Sequence, residues 1–244
     1  LIPTLAYAIL FFGETFPKAH VAEATSFREN FRAMLTPVYI FLFCCMALTA
    51  ISEFGPSQWV SIVLGASGAN AMLILALTNG ISAVGRFFAG PVVGRLGQTG
   101  VLLTGAILAT IGIYLFSTVT GPMAYVAAIV YALGICYFWP VMIGSVAYRV
   151  PRSSALGMSI VGGVGMFSTS IFQPIIGGWI DGARVENSAR GLTGTALELA
   201  TGQQSLLKMM TFPAILIVLF VVFFIWQKNT KAAATESDMT MAVH

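Results

Sequence analysis

Residues 80–97 read GISAVGRFFAGPVVGRLG and lie between two long apolar runs. The stretch closes the first run, brings in two arginines and leads directly into the second run. A register shift of 83 residues places the segment Pro91-Val92-Val93-Gly94 on Pro174-Ile175-Ile176-Gly177, and Gly80 on Gly163. This match predicts a weak internal repeat. The alternative is chance recurrence of the pattern in glycine-rich membrane helices.

The composition is that of a membrane protein. Hydrophobic residues make up 57% of the 244 residues and charged residues only 9%, whereas soluble domains carry about 25% charged residues. Because so few polar side chains cannot cover a folded surface, we predict an all-α integral membrane protein in contact with the lipid bilayer. The net charge of +3 is small and no basic cluster stands out, so nucleic acid is not an expected partner.

The apolar runs predict six transmembrane helices between residues 34 and 227, because a helix that spans a bilayer needs about 20 apolar residues. Pro56 is expected to break the first helix, whereas Pro140 lies inside the fourth. Residues 181–204 are polar and are expected to form a surface excursion, and residues 228–244 a disordered cytoplasmic tail. The predicted helices cover residues 34–64, 70–93, 101–118, 123–147, 155–180 and 205–226.

The first 33 residues are expected to precede the six-helix unit. Residues 1–12 are apolar but too short to span a bilayer, so they are interpreted as the end of a preceding transmembrane helix. Residues 13–33 are interpreted as a cytoplasmic linker. Phe27, Phe31 and Leu35 are spaced four residues apart, which predicts a short amphipathic helix at the membrane surface, with Ser26 as its N-cap.

The basic residues predict the orientation, because cytoplasmic loops carry an excess of Lys and Arg. Nine of the 12 basic residues fall on one side of the predicted helices, from Lys18 to Lys231, and that side is therefore expected to be cytoplasmic. Arg184, Arg190 and Lys208 fall on the other side. The second and fifth helices then run in opposite directions. This arrangement predicts two inverted three-helix repeats, a pattern typical of secondary transporters.

These features resemble the C-terminal half of a major facilitator superfamily transporter. Residues 90–100 are similar to the Gly-rich basic loop of that family, although Gly94 stands where the family often has an acidic residue. Residues 53–59 resemble the broken seventh helix of bacterial sugar-type members, including the fucose permease group. The resemblance implies half of a 12-helix fold, a missing N-terminal six-helix half as partner, a multi-pass bacterial inner membrane protein, and a cytoplasmic loop or gate at Arg86, Gly90, Gly94 and Arg95.

Glu53 and Arg86 are the charged residues that fall inside the predicted helices, where a charge is costly and usually functional. Glu53 is expected about 6 Å outward of the membrane midplane, where it would bind substrate or couple transport to protons. The alternative is a structural carboxyl bonded to backbone unwound at Gly55. Arg86 is expected about 24 Å along its helix from Asn70. That depth favours a loop anchor or a pair with the other half of the transporter.

Five uncharged polar or aromatic residues complete the predicted substrate site: Gln58, Asn79, Tyr137, Trp139 and Gln173. Amide side chains that hydrogen-bond to hydroxyl groups, with an aromatic ring stacked on a pyranose, would suit a sugar. The alternative is hydrogen bonding between helices, which is a common use of Asn and Gln in membranes.

No catalytic, cofactor or metal constellation is found in the sequence. His20 lies in the linker and His244 ends the tail, and no phosphate-binding Gly-Lys-Ser/Thr loop is present. We therefore expect a protein that is not an enzyme but a secondary active transporter of a small polar solute, of sugar or nucleoside type. It would work by alternating access and proton coupling. The alternatives are an exporter of amphiphilic compounds, with a pocket rich in Phe and Met, and a non-transporting membrane scaffold or sensor.

Overall fold

The computed structural model describes residues 2–13, 26–65 and 68–242. Every regular element in these residues is helical, so the predicted all-α class is confirmed. A short 3₁₀ turn, Pro151–Ser153, links α7 to α8. The helices are α1 (Ile2–Phe11), α2 (Phe27–Met34), α3 (Pro37–Gly65), α4 (Ala71–Phe87), α5 (Ala89–Thr118), α6 (Met123–Ile135), α7 (Phe138–Arg149), α8 (Ser154–Ala189), α9 (Gly194–Met209) and α10 (Thr211–Ala242).

Five helical segments are long and apolar enough to cross a membrane, which makes the chain a multi-pass membrane protein by length and composition. The segment predicted as the second span is shorter. Helix α4 has 17 residues, or about 25 Å, against a hydrocarbon core of about 30 Å. The five segments are Pro37–Trp59, Ala89–Thr118, Met123–Arg149, Pro151–Ala189 and Gly194–Asn229.

The predicted loop at residues 90–100 is mostly helical, and its irregular backbone is confined to Gly97. Helix α4 ends at Phe87, and α5 begins at Ala89 after a tight turn at Phe88. Pro91 therefore stands in the first turn of a helix, where its missing N–H has no partner to lose. The irregular point comes later, at Gly97, whose φ of 70° kinks α5 in a conformation that favours glycine. The second helix ends six residues earlier than expected, and the third begins twelve residues earlier, at Ala89 instead of residue 101.

Pro56 and Pro140 behave in the opposite way to that expected. Pro56 lies inside α3, which remains helical to Gly65, so the predicted break is wrong. The predicted fourth helix is interrupted at Cys136 and Tyr137, between α6 and α7. Pro140 stands in the first turn of α7, where a proline is tolerated. The predicted turn at Gly121 and Pro122 is confirmed, between the end of α5 at Thr118 and the start of α6 at Met123.

The C-terminal part is more helical than expected. Helix α8 continues to Ala189 and α9 begins at Gly194, so residues 181–204 are not an irregular excursion. Polar side chains bind these two helices together: Asn187 donates to Gln204 at 2.9 Å, and Gln204 donates to Glu186 at 2.7 Å. Helix α10 runs to Ala242, so most of the tail expected to be disordered is helical.

Helix α3 contacts more of the other long helices than any of its neighbours does. It packs against α4, α6, α7, α8, α9 and α10, while α5 and α6 form a close pair beside it. That pair depends on glycine: a Cβ at Gly112 would lie 2.5 Å from the Cα of Tyr131. The largest fully buried side chains include Tyr131, Phe116, Phe138 and Phe220, and others come from α3 and α4, so the core lies between α3, α4, α5, α6, α7 and α10.

Two features outside the core bear on the sequence predictions. Helix α2 is amphipathic as predicted, with Phe27 and Phe31 exposed, but the Ser26 side chain makes no capping hydrogen bond. Residues 14–25, most of the predicted linker, lie outside the described residues. The two copies of the sequence match also differ in setting, because Pro91 starts α5 whereas Pro174 lies inside α8.

Candidate functional site: a charged cavity beside α3

The two charged residues of the apolar runs bind each other. Arg86 Nη2 of α4 donates to Glu53 Oε1 of α3 at 3.0 Å. The Glu53 side chain is 11% exposed, whereas that of Arg86 is 44% exposed, so the guanidinium reaches from open space toward a buried carboxylate. The prediction that the two residues lie at different depths is therefore wrong. Helix α3 continues through Pro56 to Gly65, and the long Arg86 side chain reaches toward it, so the two charged groups meet although Arg86 stands as far along α4 as expected.

Near Pro56, a side chain from another helix replaces a missing backbone hydrogen bond. A proline has no N–H, so it leaves the Ser52 carbonyl one turn earlier without its helical donor. The Tyr131 hydroxyl of α6 lies 3.0 Å from that carbonyl oxygen and 2.7 Å from the Glu53 carbonyl oxygen. Ser57 Oγ also donates to the Glu53 carbonyl and lies 3.2 Å from Tyr131 Oη. A buried hydroxyl from another helix therefore allows α3 to pass through Pro56 unbroken.

Near Pro140, a side chain from another helix again binds a carbonyl that lacks its helical donor. The carbonyl one turn before it belongs to Cys136, and it accepts a hydrogen bond from Arg86 Nε at 3.0 Å. Arg86 thus binds two acceptors at once, the Glu53 carboxylate and the backbone at the interruption between α6 and α7. This arrangement fixes the guanidinium plane, and it joins α3, α4 and the α6–α7 break through a single side chain.

A cavity of about 540 Å³ opens beside this ion pair. Four of the predicted site residues line it: Glu53, Gln58, Asn79 and Arg86. The polar residues that the prediction missed are Ser57, Thr78, Ser82 and Tyr131, and the remaining lining residues are Phe54, Ile74, Leu75, Ala83, Phe116 and Ile135. Thr78, Ser82 and Arg86 recur every four residues, a polar stripe along α4 that the sequence already contains.

The other three predicted substrate residues do not line the cavity. Gln173 of α8 accepts a hydrogen bond from Trp59 Nε1 at 3.0 Å. Trp139 lies one ring behind the cavity wall, edge-on to Phe54, with 5.8 Å between ring centroids. The Tyr137 hydroxyl lies close to Gly85 of α4. The structure therefore divides the predicted site into a cavity group and a group of half-buried side chains that contact other helices.

The residues of the predicted cytoplasmic loop are exposed but helical. Gly90, Gly94 and Arg95 lie in the first two turns of α5, and no side chain would meet a Cβ built at Gly90 or Gly94 within 4 Å. Their role as a gate stays a prediction.

The chemistry of the cavity is that of a polar binding site. The ion pair is neutral overall, while Gln58, Asn79, Thr78 and Ser82 offer donors and acceptors on two helices. Glu53 Oε2 is buried and has no hydrogen-bond partner among the described residues, so one carboxylate oxygen is left unsatisfied beside the cavity. No group of three or more His, Cys, Asp or Glu side chains that would hold a metal occurs in the part of the chain that the structure describes.

No protein-family profile, no curated protein and no solved structure matches the chain.

Proposed function

We propose that the chain is the C-terminal half of a major facilitator superfamily secondary transporter in a bacterial inner membrane. Its six-helix unit, built as two inverted three-helix repeats, works against an N-terminal six-helix half. The two halves carry a small polar solute of sugar or nucleoside type by alternating access, coupled to protons. The chain carries out no enzymatic reaction, and its partners are the solute, protons, the lipid bilayer and the other half.

The observation that carries this proposal is the Glu53–Arg86 ion pair in the wall of a polar cavity. A charged pair within apolar helices is costly, and in membrane proteins such residues mark substrate and ion pathways. Here both charges border a cavity of about 540 Å³, a volume within the usual range of small-molecule sites. Gln58 and Asn79, from α3 and α4, supply the amides that a hydroxylated solute would bind.

The same cavity weighs against the two alternatives. An exporter of amphiphilic compounds would be favoured by a pocket rich in Phe and Met. The lining of this cavity contains two Phe residues, Phe54 and Phe116, and no Met. A scaffold or sensor has no use for an exposed guanidinium beside a carboxylate oxygen that lacks a partner. Its helices would be stabilised as well or better by an apolar contact at this position.

The test is a Glu53→Gln variant of the complete transporter in proteoliposomes. Gln keeps the size of the side chain and an acceptor for Arg86, but it cannot bind and release a proton. We expect proton-driven accumulation of a radiolabelled sugar or nucleoside from a screening panel to fall at least about tenfold, while exchange of that solute survives. Exchange needs binding and alternation but no net proton movement.

The control and the contrary outcomes are clear-cut. Glu198→Gln in α9 makes the same change at an exposed carboxylate outside the cavity and should leave accumulation unchanged. Full accumulation by a folded Glu53→Gln protein would remove proton coupling from this carboxyl. Loss of binding and exchange together, with loss of folded protein, would identify Glu53 as a structural residue only.

A further inference from the structure

A second, larger groove lies away from the Glu53 cavity, between α2, the end of α7 and the 3₁₀ turn. Its volume is about 1030 Å³, and three arginines from these three elements line it: Arg32, Arg149 and Arg152. Glu29 is the acidic residue in its lining. None of the three arginines forms an ion pair with a carboxylate in the described parts of the chain, so the groove carries an excess of positive charge.

Arg149 is held in place by neutral groups. Its Nη2 donates to Thr99 Oγ1 at 3.3 Å, and its guanidinium carbon lies 4.9 Å from the centroid of the Phe223 ring. With the Gln227 amide oxygen turned toward the guanidinium, Gln227 accepts from both terminal nitrogens, and its own nitrogen donates to Thr99 Oγ1 at 3.0 Å. These contacts hold the guanidinium toward α5 and α10 without a carboxylate, so Arg149 adds positive charge to the groove wall, while Arg32 and Arg152 are the exposed arginines of the lining.

The position of α2 sets the level of the groove relative to the bilayer. Phe27, Phe31 and Leu35 are 72%, 53% and 61% exposed, and they form one apolar stripe along the helix. A helix with an exposed apolar stripe and basic residues on its other side lies in the interface between lipid headgroups and acyl chains. Arg32 is on this helix, so the groove opens at the level of the lipid phosphates.

We infer that this groove binds the phosphate of an anionic phospholipid headgroup. Arg32 and Arg152 match a phosphate because guanidinium groups donate in the fork geometry that phosphate oxygens accept. The lining also includes apolar residues, namely Ala33, Val38, Val150 and Pro151. A phospholipid uses both parts, the phosphate on the arginines and the glycerol and first acyl carbons on the apolar floor, whereas a free phosphate uses the arginines alone.

The test is lipid binding to the purified chain in a mild detergent, measured by native mass spectrometry. The two probes are dioleoyl phosphatidylglycerol and dioleoyl phosphatidylcholine. We expect the wild type to bind the anionic lipid at least about tenfold more tightly than the zwitterionic one, and Arg32→Gln/Arg152→Gln to lose that preference. Arg149 is left unchanged because its contacts with Thr99 and Gln227 also stabilise the fold.

A matched variant distinguishes a site from general charge attraction. Arg28→Gln/Lys228→Gln removes the same charge from exposed residues that do not line the groove, and it should keep the preference for phosphatidylglycerol. Arg32→Lys/Arg152→Lys should keep only part of it, since a lysine retains the charge but cannot donate in the fork geometry. If the double glutamine variant does not fold, Arg32→Gln alone should weaken the preference, because Arg32 is exposed on α2.

Three results would overturn the inference. The first is equal binding of the two lipids by the wild type. The second is an equal loss of preference in the Arg28→Gln/Lys228→Gln control. The third is displacement of phosphatidylglycerol by an equal concentration of inorganic phosphate or glycerol 3-phosphate, which would identify the ligand as a free phosphate.

Discussion

Helix α3 has two sides that differ in what they bury. On the side toward α4 and α6, called here the cavity side, Glu53, Ser57 and Gln58 face a cavity of about 540 Å³. On the side toward α8, called here the α8 side, Gly55 lies so close to Ile176 that an added Cβ would be 3.2 Å from its Cδ1.

Hydrogen bonds on the two sides serve different needs. On the α8 side, Tyr39 Oη donates to the Gly157 carbonyl at 2.9 Å, and Ser168 Oγ lies 3.1 Å from the Ala47 carbonyl. Both carbonyls also belong to continuous helices. On the cavity side, Tyr131 and Arg86 bind the carbonyls of Ser52 and Cys136, which prolines have left without a helical donor. The cavity side therefore depends on its side chains for local backbone stability, and the α8 side does not.

The largest effect should come from removing the cation of the cavity side. In Arg86→Met, Glu53 loses its ion pair and the Cys136 carbonyl loses its donor. We expect a loss of about 2–4 kcal/mol in the free energy of unfolding in detergent, at the low end of the range for broken buried pairs because Arg86 is partly exposed. Glu53→Gln/Arg86→Met should recover part of the loss, since no unpaired charge remains.

A matched change on the α8 side is Trp59→Phe, which removes the neutral hydrogen bond to Gln173. We expect it to cost about 1 kcal/mol. The distinction between the two sides fails if Trp59→Phe destabilises the protein as much as Arg86→Met, or if the double variant shows the full sum of its single changes.

A smaller effect concerns solute affinity. Gln58→Leu and Asn79→Leu each remove an amide from the cavity, and each should raise the KM for a sugar or nucleoside about tenfold, the equivalent of one hydrogen bond. Gln173→Leu on the α8 side should leave the KM unchanged. Initial uptake rates in proteoliposomes measure all three variants. An increase in KM for Gln173→Leu that equals the other two would return Gln173 to the binding site.

The last comparison concerns two buried tyrosines and the difference between their losses of stability. Tyr131→Phe leaves the Ser52 carbonyl without any donor, because Pro56 has no N–H, and should cost about 1–3 kcal/mol. Tyr39→Phe leaves the Gly157 carbonyl with its helical donor one turn later, and should cost about 0.5–1 kcal/mol. Unfolding midpoints in detergent measure the difference. Equal losses would show that the proline in α3 places no special demand on Tyr131.

Several features of the fold were predictable from local sequence. The end of α5 at Thr118 and the start of α6 at Met123 follow from a glycine–proline turn between apolar runs, and both were predicted correctly. The amphipathic face of α2 follows from the spacing of Phe27 and Phe31. Such features depend on residues within one or two helical turns of each other, so no knowledge of the tertiary structure is needed to predict them.

Prediction from local sequence failed at the prolines, because a proline can interrupt a helix or stand in the first turn of a new one. Pro91 and Pro140 were placed inside helices, but each stands in the first turn of a new one. Pro56 was expected to break α3 and does not. A local sequence contains no information on which distant groups surround a proline. The carbonyls of Ser52 and Cys136 both gain a donor from another helix, yet α3 continues whereas the helix at Cys136 is interrupted.

By itself, the sequence determined that this is a helical membrane protein, because its charged residues are too few to cover a soluble surface. For the same reason it singled out Glu53 and Arg86. Only the tertiary structure decided that the two bind each other, that Gln58 and Asn79 share their cavity and that Gln173 does not. The physical reason is distance along the chain: 33 residues separate Glu53 from Arg86, and 79 separate Ser52 from Tyr131. Contacts between residues so far apart depend on how the helices pack against each other.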